Sequence, residues 1–371
     1  MKITALKTYF VKPRWLFLKV ETDEGIVGWG EPIVEGRAQT TAQAVQEIGR
    51  IIIGQDPTRV EHIWQSVYCG QFYRGGPVLT SALSGIEQAL WDISGKALGV
   101  PAYKLLGGRT RDKIKVYGHI QGKNMDEYQK KADKVQAQGF DTFKWGMPVP
   151  LGFVETPEKI ETIVNDFAKI REILGKKAQI GIDFHGRVSP ALAPILIKEL
   201  EPYKPMFIEE PVLPENVDVM ARIARGTTVP IATGERLFTK WGFREVIEKQ
   251  AAVILQPDLS HAGGILECKK IAAMAEAYYM SVAPHCPLGP IALASCLTLD
   301  AVIPNFLCQE TVTMGEGYLK EPFVVENGYV KLSDKPGLGI EVDESCLETL
   351  AYDGSWETPS ARYEDGSVAH W

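Results

Sequence analysis

Six short stretches of the chain each end in a side chain that a packed core rejects, and they recur at a nearly constant interval. GIDFHG carries Asp183 and His185, FIEEP carries Glu209 and Glu210, and ATGE ends on Glu235. LQPDLS then holds Asp258, APHC holds His285, and LCQE ends on Glu310. The successive separations from Asp183 through Glu209, Glu235, Asp258, His285 and Glu310 are 26, 26, 23, 27 and 25 residues. Asp183, Glu209 and Glu235, if gathered in one poorly solvated place, repel one another unless a cation holds them. An all-oxygen donor set favours a hard ion, with Mg2+ first, because it accepts a few carboxylates and leaves its other positions to water and substrate. Asp258 beside His285 makes a carboxylate–imidazole dyad suited to removing a proton, and His185 is placed to donate one from the other side. Lys144, in DTFKWG, and Glu310 offer a cation and a hydrogen-bonding carboxyl group at opposite edges of the site.

One such interval accommodates a strand, a helix and their loops, so each polar group sits at the end of a successive strand. Eight apolar runs fit that role: KVYGHI, DTFKWG, AQIGIDFHG, MFIEEP, PIATGE, AVILQPDLS, SVAPHC and FLCQE. Helical patterns such as PEKIETIVNDFAKIREIL separate them. The expected fold class is α/β, a (β/α)8-type barrel (a modified TIM barrel) over residues 111–320, compact against the usual ~250 residues, with its chemistry at the C-terminal strand ends. Alternation predicts that Ile180, Ile182 and Phe184 face the helices while Gly181, Asp183 and His185 face the interior. The same parity turns Glu209 inward with Phe207 and leaves Glu210 on the other face as a packing group.

Residues 1–110 open with alternating, strand-like runs and continue with helical spacing, predicting a small α+β domain. Residues 321–371 read as an irregular tail returning to it. GIVGWGE lacks a GxGxxG pattern and a following βαβ unit, so Gly25, Gly28 and Gly30 read as hairpin glycines. Arg14, Trp15, Glu35, Arg37, Tyr73 and Arg74 are expected in N-terminal loops near the barrel mouth. His62, His119, His261 and His370 have no partners in the spacing and read as surface or structural.

The totals narrow the class. A chain of 371 residues with 45% apolar and 23% charged residues is a globular composition. A net charge of −7 disfavours nucleic acid and membrane surfaces as partners. Lys7 and Lys12 interrupt any apolar leader, and the six cysteines form no CxxC pair, so a reduced, cytoplasmic protein is expected.

IEEP within the Asp, Glu, Glu spacing, and ILQPDLSHAGG followed by APHCPLGPIALA, resemble the mandelate racemase branch of the enolase superfamily over nearly the whole chain. Within that branch DFHGRVS, LIKELEPY and FIEEPV are most similar to the D-galactonate dehydratases. The resemblance implies one Mg2+ on Asp183, Glu209 and Glu235, and His285 with Asp258 as the base at C2. It further implies His185 as the acid at the C3 hydroxyl, Glu310 bonded to the enolate oxygen, an acid-sugar substrate, a capping role for residues 1–110, and a homo-oligomer. Racemases of the branch carry Lys-x-Lys on the second barrel strand, whereas FKWG keeps Lys144 and puts Gly146 in the second place. The expected reaction is therefore elimination: dehydration of D-galactonate to 2-dehydro-3-deoxy-D-galactonate. Its alternatives are another aldonate, such as a gluconate-like acid, or a non-catalytic acid-sugar binder. A two-carboxylate glycosidase leaves the third acid and the dyad unexplained.

Overall fold

The computed structural model describes residues 1–122, 124–147 and 150–370. The N-terminal domain is an antiparallel sheet of β1 (Ile3–Val11), β2 (Trp15–Thr22) and β3 (Val27–Gly30), followed by α1 (Ala38–Ile52), α2 (Val60–Tyr68) and α3 (Pro77–Leu98). Leu18 and Val20 of β2 pack with these helices, while Trp15 and Phe17 join the large core that continues through the barrel. Trp15 is thus a core residue rather than part of a mouth loop, because strand alternation turns it inward against Tyr318.

The middle of α3 is buried almost all round because it runs between the sheet and the barrel. Pro77 starts it, and Gly99, at φ +66°, ends it in the left-handed conformation that glycine adopts freely. Close packing on this helix also explains two glycines whose expected place was the hairpin. A Cβ at Gly30 would lie 1.8 Å from the Gly85 carbonyl oxygen, and one at Gly28 2.1 Å from that of Ala89. Only Gly25, at φ +77°, serves the turn.

After the short α4 (Ala102–Leu105), the parallel strands β4 (Lys113–Ile120), β5 (Thr142–Gly146), β6 (Gln179–Asp183), β7 (Ile208–Glu209), β8 (Ile231–Thr233), β9 (Ile254–Leu255), β10 (Ser281–Val282) and β11 (Gln309–Glu310) follow in order. Neighbours pair in sequence from β4 to β10, and β11 pairs with β4. The Val282–Phe306 bridge, with Val282 N donating to Asn305 O at 2.8 Å, joins β10 to the approach to β11 and completes the ring. α5 (Met125–Ala137), α6 (Pro157–Leu174), α7 (Ala193–Leu200), α8 (Val217–Arg225), α9 (Thr239–Glu248), α10 (Ile265–Glu276) and α11 (Pro290–Asp300) connect the strands. Among the described residues β11 has no such helix after it. The chain instead makes the hairpin β12 (Val325–Glu326) and β13 (Tyr329–Lys331), which pairs antiparallel with the first residues of β4. Tyr117, Phe207, Ala232, Ile254, Ala283 and Cys308 form a separate cluster of inward-facing residues below the mouth.

Buried carboxylates of the N-terminal domain hold the barrel at two helix starts. Glu31 accepts from Gly289 N at 2.7 Å and Ala292 N at 2.9 Å at the head of α11. Glu87 accepts from Ile265 N at 2.7 Å and Leu266 N at 2.9 Å at the head of α10, and from Trp91 Nε1 at 2.7 Å. Both satisfy N–H groups that have no partner within the helix. The tail then crosses the N-terminal sheet edge, where Lys12 N donates to Leu350 O at 2.7 Å and Tyr352 N to Phe10 O at 3.2 Å. All six cysteines are unpaired. Among the described residues no helix is long and apolar enough to cross a membrane. Replacing Glu87 with Ala orphans three donors, and the expected loss is roughly 3 kcal/mol of unfolding free energy, read by denaturant titration.

Candidate active site

The strand ends converge. Asp183 ends β6 and Glu209 ends β7, while Glu235 lies just past β8. One carboxylate oxygen of each lies within 4.8 Å of the others, and Asp183 and Glu209 are fully buried. Ile180, Ile182 and Phe184 pack in the outer core, and a Cβ at Gly181 would meet the inward Phe207 ring at 2.5 Å, which is the expected parity. His185 arrives by a turn beyond the strand. Its backbone is left-handed at φ +50°, its N–H donates to Asp183 Oδ1 at 2.8 Å, and its Nε2 lies 3.2 Å from Asp183 Oδ2. Glu210, also at positive φ, leaves the cluster: it accepts from Thr233 Oγ1 at 2.5 Å and from Arg236 Nε at 2.8 Å.

Like charges separated by 4.8 Å cost about 3 kcal/mol per pair at an effective dielectric near 20. Burial, with Asp183 adding to it, pushes the Glu209 carboxyl well above its ordinary range. Lys144 offsets part of the charge. Its Nζ lies 2.7 Å from Glu310 Oε1, 3.0 Å from Glu209 Oε1 and 3.1 Å from Asp183 Oδ2. Burial opposes its charge, but Glu209 and Glu310 outweigh that and raise its pKa well above the usual lysine value. Lys144 and Glu310 are therefore paired rather than set at opposite edges, because β5 and β11 both flank β4 in the closed ring.

His285 Nδ1 lies 2.8 Å from Asp258 Oδ2, and its Nε2 lies 3.1 Å from Glu235 Oε2. A bridge between Asp258 and His285 continues the β9–β10 ladder and fixes the dyad. Burial disfavours the imidazolium, but Glu310 and Glu235 raise its pKa well above the ordinary value. The same proximity holds Glu235 ionised against its own burial. His185 is shifted downward, chiefly by burial. Since β6 and β10 are four strands apart in a ring of eight, His185 and His285 approach the carboxylates from opposite sides of the mouth.

The carboxylates fit a divalent cation. They supply oxygen donors only, and Glu209 Oε2 is buried and accepts no hydrogen bond among the described residues. A hard ion satisfies both conditions.

Two histidines expected to be structural belong to the cavity. His119 Nε2 lies 2.8 Å from Glu310 Oε1, and His261 Nδ1 lies 2.9 Å from Ser81 Oγ of α3, with its Nε2 3.7 Å from Asp258 Oδ2. Both line the mouth. His119 was legible, since it follows the inward Tyr117 by two residues at the end of the first barrel strand; His261 needed the docking of α3. Arg14 and Glu35 line the same cavity, of about 930 Å3, whereas Arg37, Tyr73 and Arg74 do not.

Residues 127–346 match the family model "Enolase C-terminal domain-like", and residues 3–107 match "Mandelate racemase / muconate lactonizing enzyme, N-terminal domain". The chain belongs to the enolase superfamily. Superfamily membership implies a divalent metal, for which these acids offer a site. The D-galactonate dehydratases of Cronobacter sakazakii and Pectobacterium atrosepticum are 51% and 52% identical to the chain, each over 100% of both proteins. Among solved structures, a putative galactarate dehydratase from Agrobacterium radiobacter, with bound Na and L-malate, superposes with a TM-score of 0.94 at 31% identity, covering 100% of both chains. A mandelate racemase/muconate lactonizing enzyme-like protein from Roseovarius sp. TM1035 gives 0.89 at 35% identity, covering 97% of this chain and 98% of its own.

Metal added at a hundredfold excess over its Kd raises the unfolding free energy by about 2.7 kcal/mol. Glu209→Gln is expected to abolish that increment, as read from thermal midpoints with and without chelator.

Proposed function

We propose that the chain is a Mg2+-dependent hydro-lyase that converts D-galactonate to 2-dehydro-3-deoxy-D-galactonate and water. The observation that carries this reading is the pair of histidines facing each other across the carboxylate cluster, one with a carboxylate partner suited to a base and one placed as an acid. The second lysine of a racemase is absent. A Cβ at Gly146 would lie 3.9 Å from His185 Cε1, an ordinary contact distance, so the place of the absent lysine adjoins His185. The named relatives supply the substrate.

Asp183, Glu209 and Glu235 would hold the ion, which supplies a Lewis acid to the substrate carboxylate. With Asp258 accepting from His285 Nδ1–H, and with an ion on Glu235 offsetting part of the negative charge that raises the His285 pKa, Nε2 would be the nitrogen that takes the C2 proton. Loss of that proton puts a second negative charge on the carboxyl group, and the Lys144 ammonium sits where it stabilises that charge as it develops. Glu310 accepts from Cys286 N–H at 2.8 Å. Lys144 and His285 outweigh its burial and lower its pKa, and it braces Lys144 beside the place where the enolate oxygen would form. The C3–O bond then breaks as His185 delivers a proton to the departing hydroxyl, and the enol tautomerises to the 2-keto-3-deoxy acid. These contacts concern C1 to C3 alone, so another aldonate of the same configuration there is compatible with the same machinery.

With Mg2+ present, D-galactonate is expected to yield a 2-keto-3-deoxy acid, and chelation stops it; no such product from any six-carbon aldonate sinks the reading. His285→Asn is expected to lower both C2 deuterium exchange and dehydration by about 10^3-fold, within the span of general-base effects. His185→Asn keeps exchange and loses dehydration, measured by NMR in D2O. Dehydration at the parental rate in that variant would remove His185 as the acid.

A further inference from the structure

We propose that the C-terminal tail places Trp356 over the barrel mouth as the roof of a subsite, shared with Arg14 and Glu35, that reads the hydroxyl-bearing far end of the acid sugar. The inference rests on the dehydratase reading and adds what that reading lacks, a group that senses the chain beyond C3.

The tail reaches this position through anchors outside the site. Ala351 bridges Val11, the Tyr352 ring meets Phe10 edge-on at 6.1 Å, and Gln39 Nε2 donates to Asp353 O at 2.8 Å. Gly36 then passes so close to the tail that a Cβ there would lie 2.6 Å from Thr358 Oγ1. With its course fixed on both sides, Trp356 has little freedom, and it lines the same cavity as His185, Glu235 and His285. Its ring carries the Arg14 guanidinium at 5.0 Å from the centroid.

Arg14 joins all three parts of the wall. Besides Trp356 it contacts Glu35 Oε1 at 2.5 Å and donates from Nη2 to the carbonyl of Pro287 at 3.2 Å, two residues from His285. Burial raises the Glu35 carboxyl above its ordinary value, although Arg14 lowers it. A guanidinium offers donors, a carboxylate offers acceptors, and an indole offers a flat apolar face. Together they suit a polyol, whose hydroxyls need both kinds of partner while its C–H groups need apolar cover. The carboxylate end of the substrate belongs with Lys144 at the floor, so the roof is left to the opposite end.

The test uses the full chain with excess Mg2+ and two acids that share C2 and C3 configuration: D-galactonate, and L-threonate, which ends at C4. KM is measured for D-galactonate, and Ki for L-threonate as a competitive inhibitor. Trp356→Ala is expected to raise the KM about tenfold, the size of one lost aromatic contact, with a smaller change in kcat and the L-threonate Ki within about twofold. Trp356→Phe keeps a ring and stays near the parental KM. Equal shifts for both acids mark a structural role for the tail and overturn the proposal, and so does a KM that does not move. Absence of turnover of every six-carbon aldonate by the parental protein would sink the dehydratase reading itself, and that result appears before any variant is made.

Discussion

The site depends on a concentration of negative charge that water does not screen. Asp183, Glu209 and Glu310 are fully buried, Glu235 adjoins them, and one ammonium, that of Lys144, touches Asp183, Glu209 and Glu310. Such a cluster is unfavourable in a protein that uses it only for folding. It becomes an asset when a divalent ion and a carboxylate substrate arrive, because the charges are already oriented and need no rearrangement as the enolate forms. Lys144 holds the carboxylates together and, in the proposed reaction, would face the charge that grows during proton loss.

The closed ring converts that cluster into a directional site. Each strand delivers one group, so angular position around the mouth follows strand order. His185 and His285 stand four strand positions apart, which sets them face to face, whereas Lys144 and Glu310 stand two apart, which brings them into contact. The N-terminal domain completes the wall from above. Its helix α3 is held by Glu87 at the head of α10, and Ser81 on the same helix meets His261, whose ring lies near Asp258 of the dyad. Docking of the cap and alignment of the dyad thus share one helix.

Much of this was readable in the chain. The interval between polar strand ends revealed the barrel, and alternation in GIDFHG turned Asp183 inward. Where readings fell short, the reason was geometric. Gly28 and Gly30 carry no signal that separates a turn glycine from one pressed against a helix, since the helix lies far along the chain. The contact of Lys144 with Glu310 required knowing that the last strand closes on the first. Trp356 was invisible, because its place over the mouth is set by anchors on β1 and α1 rather than by any pattern in the tail.

The central claim is that the acidic triad holds a divalent ion with the two histidines on opposite sides of the substrate. The most direct measurement is a crystal structure of the protein with D-galactonate and Mn2+ in place of Mg2+, located by anomalous scattering. An anomalous peak is expected among Asp183, Glu209 and Glu235, with His285 Nε2 facing C2 and His185 facing the C3 hydroxyl. A peak elsewhere, or a substrate bound with both histidines on one side, would contradict it.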